Sequence, residues 1–129
     1  MSARSRTNQQ DLDQLSSTFR LLADKTRLQI LLLLADGERN VTSLCEQLDL
    51  PQPTVSHHLG LLRLRNIIAN RRKGKQVFYA IDPRVDMDDA SSLRIGLDRF
   101  QVQIAKSGVS LRAAKISRHA PADPASAEY

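Results

Sequence analysis

Residues 41–64, VTSLCEQLDLPQPTVSHHLGLLRL, constrain the fold of this chain more than any other segment, because a proline divides them into two short helices. Leu44 and Leu48 lie four residues apart and therefore share one face of a first helix. Pro51 disfavours helical geometry at Leu50, so the first helix must end before the proline. The segment predicts a helix-turn-helix, which is two helices joined by a tight turn.

The second helix of the pair is predicted to begin at about Gln52, with Pro53 in its first turn, where a missing backbone N–H costs nothing. An apolar face follows from the spacing i, i+4 and i+7 of Val55, Leu59 and Leu62. The open side near the N-terminus carries Gln52, Thr54, Ser56 and His57. In a helix-turn-helix the second helix enters the major groove of DNA, so these four residues are the predicted contacts to base edges.

A basic hairpin is predicted directly after this helix, within residues 67–81, IIANRRKGKQVFYAI. Residues 76–81 alternate in the pattern of a strand, and Gly74 supplies the positive φ that a hairpin turn needs. The tip carries four cations, which are Arg71, Arg72, Lys73 and Lys75. A basic hairpin behind a helix-turn-helix predicts a winged helix, whose wing lies along the phosphate backbone.

Side chains that complete backbone hydrogen bonds mark two helix starts. Thr42 or Ser43 is the predicted N-cap of the first helix of the pair, and Ser43 with Glu46 fits a capping box. Asp24 is a suitable N-cap for an earlier helix over residues 25–35. That helix contains the run LQILLLL and is apolar nearly all round, so we expect it at the centre of the core.

Amphipathic patterns at both ends of the domain predict two further helices. The first has an apolar stripe of Leu12, Leu15, Phe19 and Leu22. The last is predicted from residue 85 or 86 to residue 105, with a stripe of Leu93, Leu97, Phe100 and Ile104. Residues 1–10 are a predicted disordered tail and residues 107–129 a mostly disordered one, which leaves one domain over residues 11–106.

These terminal stripes exceed what one small core can cover. A two-fold dimer through the first and last helices would bury them, with an interface of Leu15, Phe19, Leu93, Leu97, Phe100 and Ile104. Such a homodimer would also place two recognition helices roughly 34 Å apart, one turn of DNA.

Composition favours a polyanionic partner and argues against several other classes. The 129 residues carry a formal charge of +5 and have a sequence pI of about 9.9. One cysteine cannot form an intramolecular disulfide framework, and no apolar run approaches the length of a membrane span. The N-terminus, MSARSRTNQQ, lacks the apolar region of a secretory signal. We therefore expect a soluble cytoplasmic protein, associated with the nucleoid and not with a membrane.

Enzyme motifs are missing from the sequence. It contains no phosphate-binding glycine loop, no nucleophile motif and no metal-binding HExxH, so we expect neither catalysis nor a cofactor.

Together these segments resemble the ArsR/SmtB family of bacterial and archaeal winged-helix repressors. The resemblance is carried by FRLLADKTRLQILLLL, SLCEQLDLPQPTVSHHLGLLR and the basic hairpin, and it extends over about residues 12–104. It implies a homodimer that binds operator DNA until an effector releases it. The implied fold is mainly helical, with four helices, a β-hairpin and a fifth helix. By the same resemblance, the four open residues of the second helix and the four cations of the hairpin contact DNA.

The sensing sites of the family do not match this chain. Many members bind metals through a Cys-x-Cys whose two positions are Asn40 and Thr42 here, and Cys45 lies three residues further on. Other members use histidine on the last helix, or two cysteines as a redox pair, whereas this chain has no histidine in residues 85–105 and one cysteine in all. The effector is therefore expected not to be zinc, arsenic or cadmium, and its identity is open.

Three alternatives compete with an effector-released repressor. Cys45 has the surroundings of a small buried hydrophobe, but it can also be a redox-responsive thiol that makes the repressor sensitive to oxidation. The winged helix can instead be a protein-interaction module, which would show no salt-dependent DNA binding. A constitutive architectural DNA-binding factor would have no two-fold symmetric operator.

Of the adjacent histidines, His57 is expected to face DNA and His58 to be packed or hydrogen-bonded.

Overall fold

The computed structural model describes residues 2–87, 92–97, 100–105 and 108–113. Four helices lead the chain: α1 (Ser2–Leu22), α2 (Lys25–Ala35), α3 (Val41–Leu48) and α4 (Gln52–Leu64). Seven strands accompany and follow them: β1 (Arg39–Asn40), β2 (Ile68–Lys73), β3 (Gln76–Ile81), β4 (Asp86–Met87), β5 (Leu93–Gly96), β6 (Phe100–Ala105) and β7 (Gly108–Ala113). Within the described ranges, none of the helices has the length and apolar character needed to cross a membrane.

The core forms where α2 meets the helix-turn-helix. Ile30 and Leu31 of α2 and Leu44 of α3 are fully buried, and the apolar face of α4 completes the cluster with Val55, Leu59 and Leu62. Burying one such side chain contributes roughly 1.5–3 kcal/mol, so this cluster is a major source of stability. The prediction of a central helix is confirmed, although Leu32 lies on its outer side and is 39% exposed.

The turn between α3 and α4 follows the predicted break. Asp49 adopts the left-handed conformation with φ 56°, and its N–H donates to the carbonyls of Cys45 and Glu46. Pro51 then occupies the N-cap position of α4, where its carbonyl accepts hydrogen bonds from the N–H groups of Thr54 and Val55. These contacts stop one helix and start the next within three residues, and they confirm the helix-turn-helix.

The predicted N-cap of α3 is wrong, whereas the predicted N-cap of α2 is confirmed. Asp24 caps α2 as expected, and its Oδ1 accepts the N–H of Arg27 at 3.1 Å. At α3, however, the N-cap is Asn40, whose Oδ1 accepts the N–H of Ser43 at 2.8 Å. Because the helix already begins at Val41, Ser43 lies inside its first turn and cannot be the capping residue.

The predicted hairpin is confirmed and gains a third strand. Strands β2 and β3 pair antiparallel from Ile68 opposite Ile81 to Lys73 opposite Gln76, and Gly74 has φ 65° in the tight loop between them. The short strand β1 pairs with the other edge of β3, so the strand order is β1-β3-β2. Since β1 leads directly into α3, the wing is tied to the start of the helix-turn-helix.

The first helix is longer than predicted. It runs from Ser2 to Leu22 and so includes the polar segment 2–10 that the sequence assigned to a tail. At the other end, β7 occupies residues 108–113 of the segment predicted as mostly disordered, and residues 114–129 lie outside the described residues. The boundaries of the single domain stay a prediction.

The predicted last helix is wrong, because most of the described residues of this segment lie in strands β4 to β7, which form a four-stranded antiparallel sheet of order β4-β5-β6-β7. Leu93 lies opposite Ile104 and Ile95 opposite Val102, and all four side chains are buried. The spacing of Leu93, Leu97, Phe100 and Ile104 fits a helix, but the β-branched residues also alternate with polar ones at the period of a strand. The pairing across strands wins because it buries both members of each pair.

This sheet changes the predicted dimer interface. Leu15, Leu93 and Ile104 are buried within the single chain, so they need no partner chain to cover them, and their assignment to an interface is corrected. Phe19 is 37% exposed, and Leu97 and Phe100 are half-buried. An interface role for these last three residues stays a prediction.

The cap of α2 gives a pH-dependent contribution to stability. The hydrogen bond from the backbone N–H of Arg27 lowers the pKa of Asp24 below its ordinary value, against a smaller opposing effect of burial. We expect Asp24→Ala to lower the free energy of unfolding by about 1 kcal/mol near neutral pH. Asp24→Asn should keep most of the stabilisation that the cap provides. Because the folded-state pKa is depressed, this contribution is present above the unfolded pKa of about 3.9 and is lost as pH falls through the folded value.

Urea unfolding of native protein and both variants at several pH values down to about 3 tests this expectation. The gap between native protein and Asp24→Ala should narrow at the acidic end. A gap that is constant with pH, or an equal loss in Asp24→Asn, would contradict the assignment.

Candidate nucleic-acid interface

The open face of α4 carries the four residues predicted to read base edges. Burial of Val55, Leu59 and Leu62 fixes the rotation of this helix about its axis. As a result, the structure exposes Gln52, Thr54, Ser56 and His57 together along the N-terminal half of α4. Pro51 and Pro53 at this end of the helix are exposed as well, which suits an element that must enter a groove.

The same face continues to Arg63, which the sequence prediction missed. Arg63 follows Ser56 by seven residues, so both side chains lie on one side of the helix. Together with Gly60 between them, they line an open surface hollow that also involves His57 and Tyr79 of β3. Arg63 is exposed and donates weakly to Asn70, at 3.4 Å. Continuing the spacing of the open face by one more turn would have identified it.

His58 faces the other way and fastens α4 to α2. Its Nδ1 accepts a hydrogen bond from Nε of Arg27 at 3.1 Å, and Nη1 of the same arginine donates to the carbonyl of Leu21 at 2.8 Å. The centroids of the His57 and His58 rings lie 5.6 Å apart and their planes are tilted by 59°. The expectation of a hydrogen-bonded His58 is therefore confirmed, and only His57 belongs to the open face.

The four cations of the wing do not have equal surroundings. Arg72, Lys73 and Lys75 are exposed and form no ion pair with any described residue. Arg71 instead makes two hydrogen bonds to the Glu38 carboxylate, at 2.7 and 2.8 Å, and its guanidinium carbon lies 5.6 Å from the centre of the Phe78 ring. The Arg71 hydrogen bonds lower the pKa of Glu38, and the Glu38 carboxylate raises the pKa of Arg71.

Arg71, which lies opposite Phe78 in the middle of the hairpin, is therefore a cation whose charge is matched by Glu38. Its carboxylate partner, Glu38, precedes β1, so the pair joins the wing to the segment that leads into α3. The sequence gives no local signal of this contact, because the two residues are 33 positions apart. The positive charge available to a phosphate backbone is concentrated at the other three positions.

Residues able to bind metal are dispersed. Across the part of the chain that the structure describes, no three His, Cys, Asp or Glu side chains lie together as a metal site requires. Cys45 is half-buried and packs against the hydrophobic core.

Comparison with known proteins identifies the class to which this arrangement belongs. Residues 24–69 match the family model described as bacterial regulatory protein, arsR family. The HTH-type transcriptional regulator KmtR of Mycobacterium tuberculosis is 47% identical over 64 residues, which cover 50% of this chain and 49% of that protein. The transcriptional repressor SdpR of Bacillus subtilis is 31% identical over 74 residues, 57% of this chain and 82% of the repressor.

Solved structures extend the comparison to the fold. The homodimeric winged helix-turn-helix DNA-binding domain of Mb0332 from Mycobacterium bovis superposes with a TM-score of 0.52 and 37% identity, over 55% of this chain and 66% of that domain. The fold is thus that of a winged helix-turn-helix protein. The chain belongs to the ArsR family of bacterial regulatory proteins. It spans about half the length of several curated relatives that it matches, KmtR among them.

The ion pair between Glu38 and Arg71 can be tested by removing the carboxylate that binds the cation. Glu38→Gln removes the carboxylate that neutralises Arg71, so we expect tighter binding to duplex DNA of any sequence. The slope of log affinity against log salt should steepen by about one unit, as for one added phosphate contact. Fluorescence anisotropy with a labelled duplex over a salt series gives both values.

Glu46→Gln is the matched control, because Glu46 is also an exposed glutamate of the helix-turn-helix and has no ion pair among the described residues. It removes the same charge without freeing a cation. An equal gain in both variants would mean that net charge, and not the release of Arg71, sets the affinity.

Proposed function

We propose that this protein is a sequence-specific DNA-binding transcriptional regulator, a repressor that binds a palindromic operator as a dimer. The observation that carries the proposal is the joint exposure of the polar face of α4 and of three cations of the wing that form no ion pair with a described residue. In this arrangement α4 lies in the major groove, where Gln52, Thr54, Ser56 and His57 reach base edges. Arg72, Lys73 and Lys75 contact phosphates alongside and fix the position of the protein on the duplex.

Arg63 extends the contact surface in this proposal. It lies one turn beyond Gly60 on the open face of α4, where a long cationic side chain can reach a base or the phosphate that flanks it. Arg71 contributes less than its neighbours, because its charge is already matched by Glu38.

Dimerisation is proposed through α1. Leu12 and Phe19 lie seven residues apart on this helix and are 52% and 37% exposed, an apolar stripe that a second copy would cover. Phe19 also borders an apolar hollow of about 130 Å³ between α1, α2 and β6. The domain of Mb0332 is described as homodimeric, which supports the same assembly here. Leu97 and Phe100 are proposed at the edge of this interface.

The signal that releases the protein from DNA is proposed not to be zinc, arsenic or cadmium. Metal coordination needs three or four converging donors, and Cys45 is the one cysteine of the chain. No cofactor and no enzymatic activity belong to the proposal. Acting on an operator places the protein in the cytoplasm with the nucleoid. A thiol response through Cys45 remains the alternative, and Cys45→Ser would remove a response to peroxide without weakening operator binding.

Footprinting with purified full-length protein identifies the operator, and single substitutions then separate base contacts from phosphate contacts. Ser56→Ala and His57→Ala should each cost roughly 1–3 kcal/mol of binding to the operator and little on random duplex. Lys73→Ala should weaken both complexes alike. Native affinity should fall on the order of 10³–10⁵ between 50 and 200 mM salt if about 6–10 phosphates are neutralised. Equal losses on operator and random DNA for Ser56→Ala and His57→Ala would exclude α4 as the reading helix.

Light scattering tests the dimer independently of DNA. Phe19→Glu would bury an unpaired carboxylate at the proposed interface, an arrangement that costs several kcal/mol, and should give a monomer with reduced operator affinity. Leu32→Glu is the matched control, because Leu32 has nearly the same exposure, 39%, but lies on α2. A native mass equal to one chain at micromolar concentration, or a dimer that survives Phe19→Glu, would refute the interface.

A further inference from the structure

A cavity of about 270 Å³ lies between α1, the end of α4 and β5, outside the surface proposed for DNA. Its polar side is formed by Thr18, Arg65 and Asn66, and its apolar side by Ile67, Ile95 and Leu97. We propose that this cavity binds a small organic monocarboxylate with an apolar body, and that its occupancy controls DNA binding. The regulatory half of this inference depends on the proposed function, whereas the binding site does not.

The charge of Arg65 indicates an anionic ligand. Its Nη1 donates to the Ser17 hydroxyl at 2.6 Å and its Nη2 to Oγ1 of Thr18 at 3.0 Å. Thr18 is itself 2% exposed, and its hydroxyl donates a hydrogen bond to the carbonyl of Gln14 at 2.9 Å. No carboxylate of the described residues pairs with Arg65, and its exposed guanidinium is bonded to two neutral hydroxyl groups. A guanidinium has five N–H groups, and three of them remain for a bidentate bond to a carboxylate.

The second arginine of the cavity limits the ligand to one negative charge. Arg84 makes two hydrogen bonds to the Asp82 carboxylate, both at 2.9 Å, and Asp82 is buried. This pair is internally neutral, and Arg84 also donates to Oδ1 of Asn66 at 3.1 Å. Among the described residues that line the cavity, Arg65 is therefore the one cation without a carboxylate partner. A monocarboxylate matches that charge, whereas a phosphate dianion would leave a charge uncompensated.

Size and lining determine the rest of the ligand. Ile67, Val85 and Ile95, which are 1, 9 and 6% exposed, supply the apolar part of the lining together with Leu97. A cavity of about 150 Å³ holds benzene, so 270 Å³ has room for an apolar group of about that size together with a carboxylate. The ligand class is thus a short aliphatic or aromatic acid of roughly ten non-hydrogen atoms.

The position of Arg65 connects the cavity to α4. Arg65 is the C-cap residue of this helix, and the next residue, Asn66, turns the chain with φ 60° before the buried Ile67. Its bonds to Ser17 and Thr18 join the end of α4 to α1, across 48 and 47 positions of sequence. A carboxylate forms stronger charge-assisted bonds than a hydroxyl and would draw the guanidinium from α1. The ligand would thereby change how α4 is held relative to the helix proposed for dimerisation.

Calorimetric titration of the full-length protein tests the site without DNA. Benzoate and hexanoate are the probes, and the neutral amides benzamide and hexanamide, which have the same shape, are their controls. We expect at least one acid to bind one molecule per chain with a dissociation constant on the order of 1 mM or lower, and its amide to bind at least tenfold more weakly. No binding by either acid at several millimolar, or equal binding of acid and amide, would overturn the proposal.

Three variants assign the binding to Arg65. Arg65→Gln should lose acid binding at least tenfold, and Arg65→Lys, which keeps the charge but not the fork of donors, should lose less. Arg20→Gln is the matched control, because Arg20 is an exposed arginine of α1 that donates to the Ser16 hydroxyl at 3.5 Å and does not line the cavity. Circular dichroism and thermal melting verify that each variant is folded. If Arg65→Gln unfolds, Arg65→Lys and the pair of acid and amide still decide the question.

Operator affinity with and without the binding acid tests the regulatory half. At saturation we expect native affinity to change about 5- to 150-fold, the usual range of allosteric coupling, and Arg65→Gln to show no response. An acid that binds through Arg65 but leaves operator affinity unchanged would overturn the regulation and keep the site. Failure of native protein to bind any DNA would instead refute the proposed function, while the calorimetry would still decide the site.

Discussion

The burial of one face of α4 is the contact on which the rest of this structure depends. Val55, Leu59 and Leu62 are fully buried, and together with Ile30 and Leu31 they hold the helix at one rotation. Side chains follow one another by about 100° around a helix, so slipping this face by one residue would turn Ser56, Gly60 and Arg63 towards the core. The interior packing therefore decides which polar groups face outward, before any charge or hydrogen bond contributes.

A second set of contacts gives the wing its direction. The short segment 38–40 provides Glu38 for the ion pair with Arg71, the strand β1 for pairing with β3, and Asn40 as the cap of α3. At the opposite end of the hairpin, the N–H of Asp82 donates to the carbonyl of Ile67 at 2.9 Å. The N–H of Ile67 in turn donates to the carbonyl of Leu62 in α4 at 3.2 Å, so the hairpin is bonded both to the segment before α3 and to the end of α4.

Local patterns made the helix-turn-helix and the wing predictable from sequence. Pro51, the spacing of the leucines and Gly74 each act through neighbouring residues, so their effect can be read without knowing the fold. The C-terminal sheet could not be predicted in the same way, because the pairing of Leu93 with Ile104 competes with a helix of equally good spacing. The Glu38–Arg71 pair and the bonds of Arg65 to α1 join residues far apart in sequence, and no local signal marks them.

The hairpin also gives this architecture a way to diverge. Strand β2 has six residues, so five steps of about 3.3 Å carry Lys73 roughly 17 Å from Ile68 at its start. Adding one residue to each strand would move the charged tip outward by roughly 3.3 Å, close to one nucleotide step along a DNA strand. Insertions of two per strand would also restore which side chains lie on each face. A lineage could thereby lengthen its footprint on DNA in small increments while the residues of α4, and the bases they select, stayed the same.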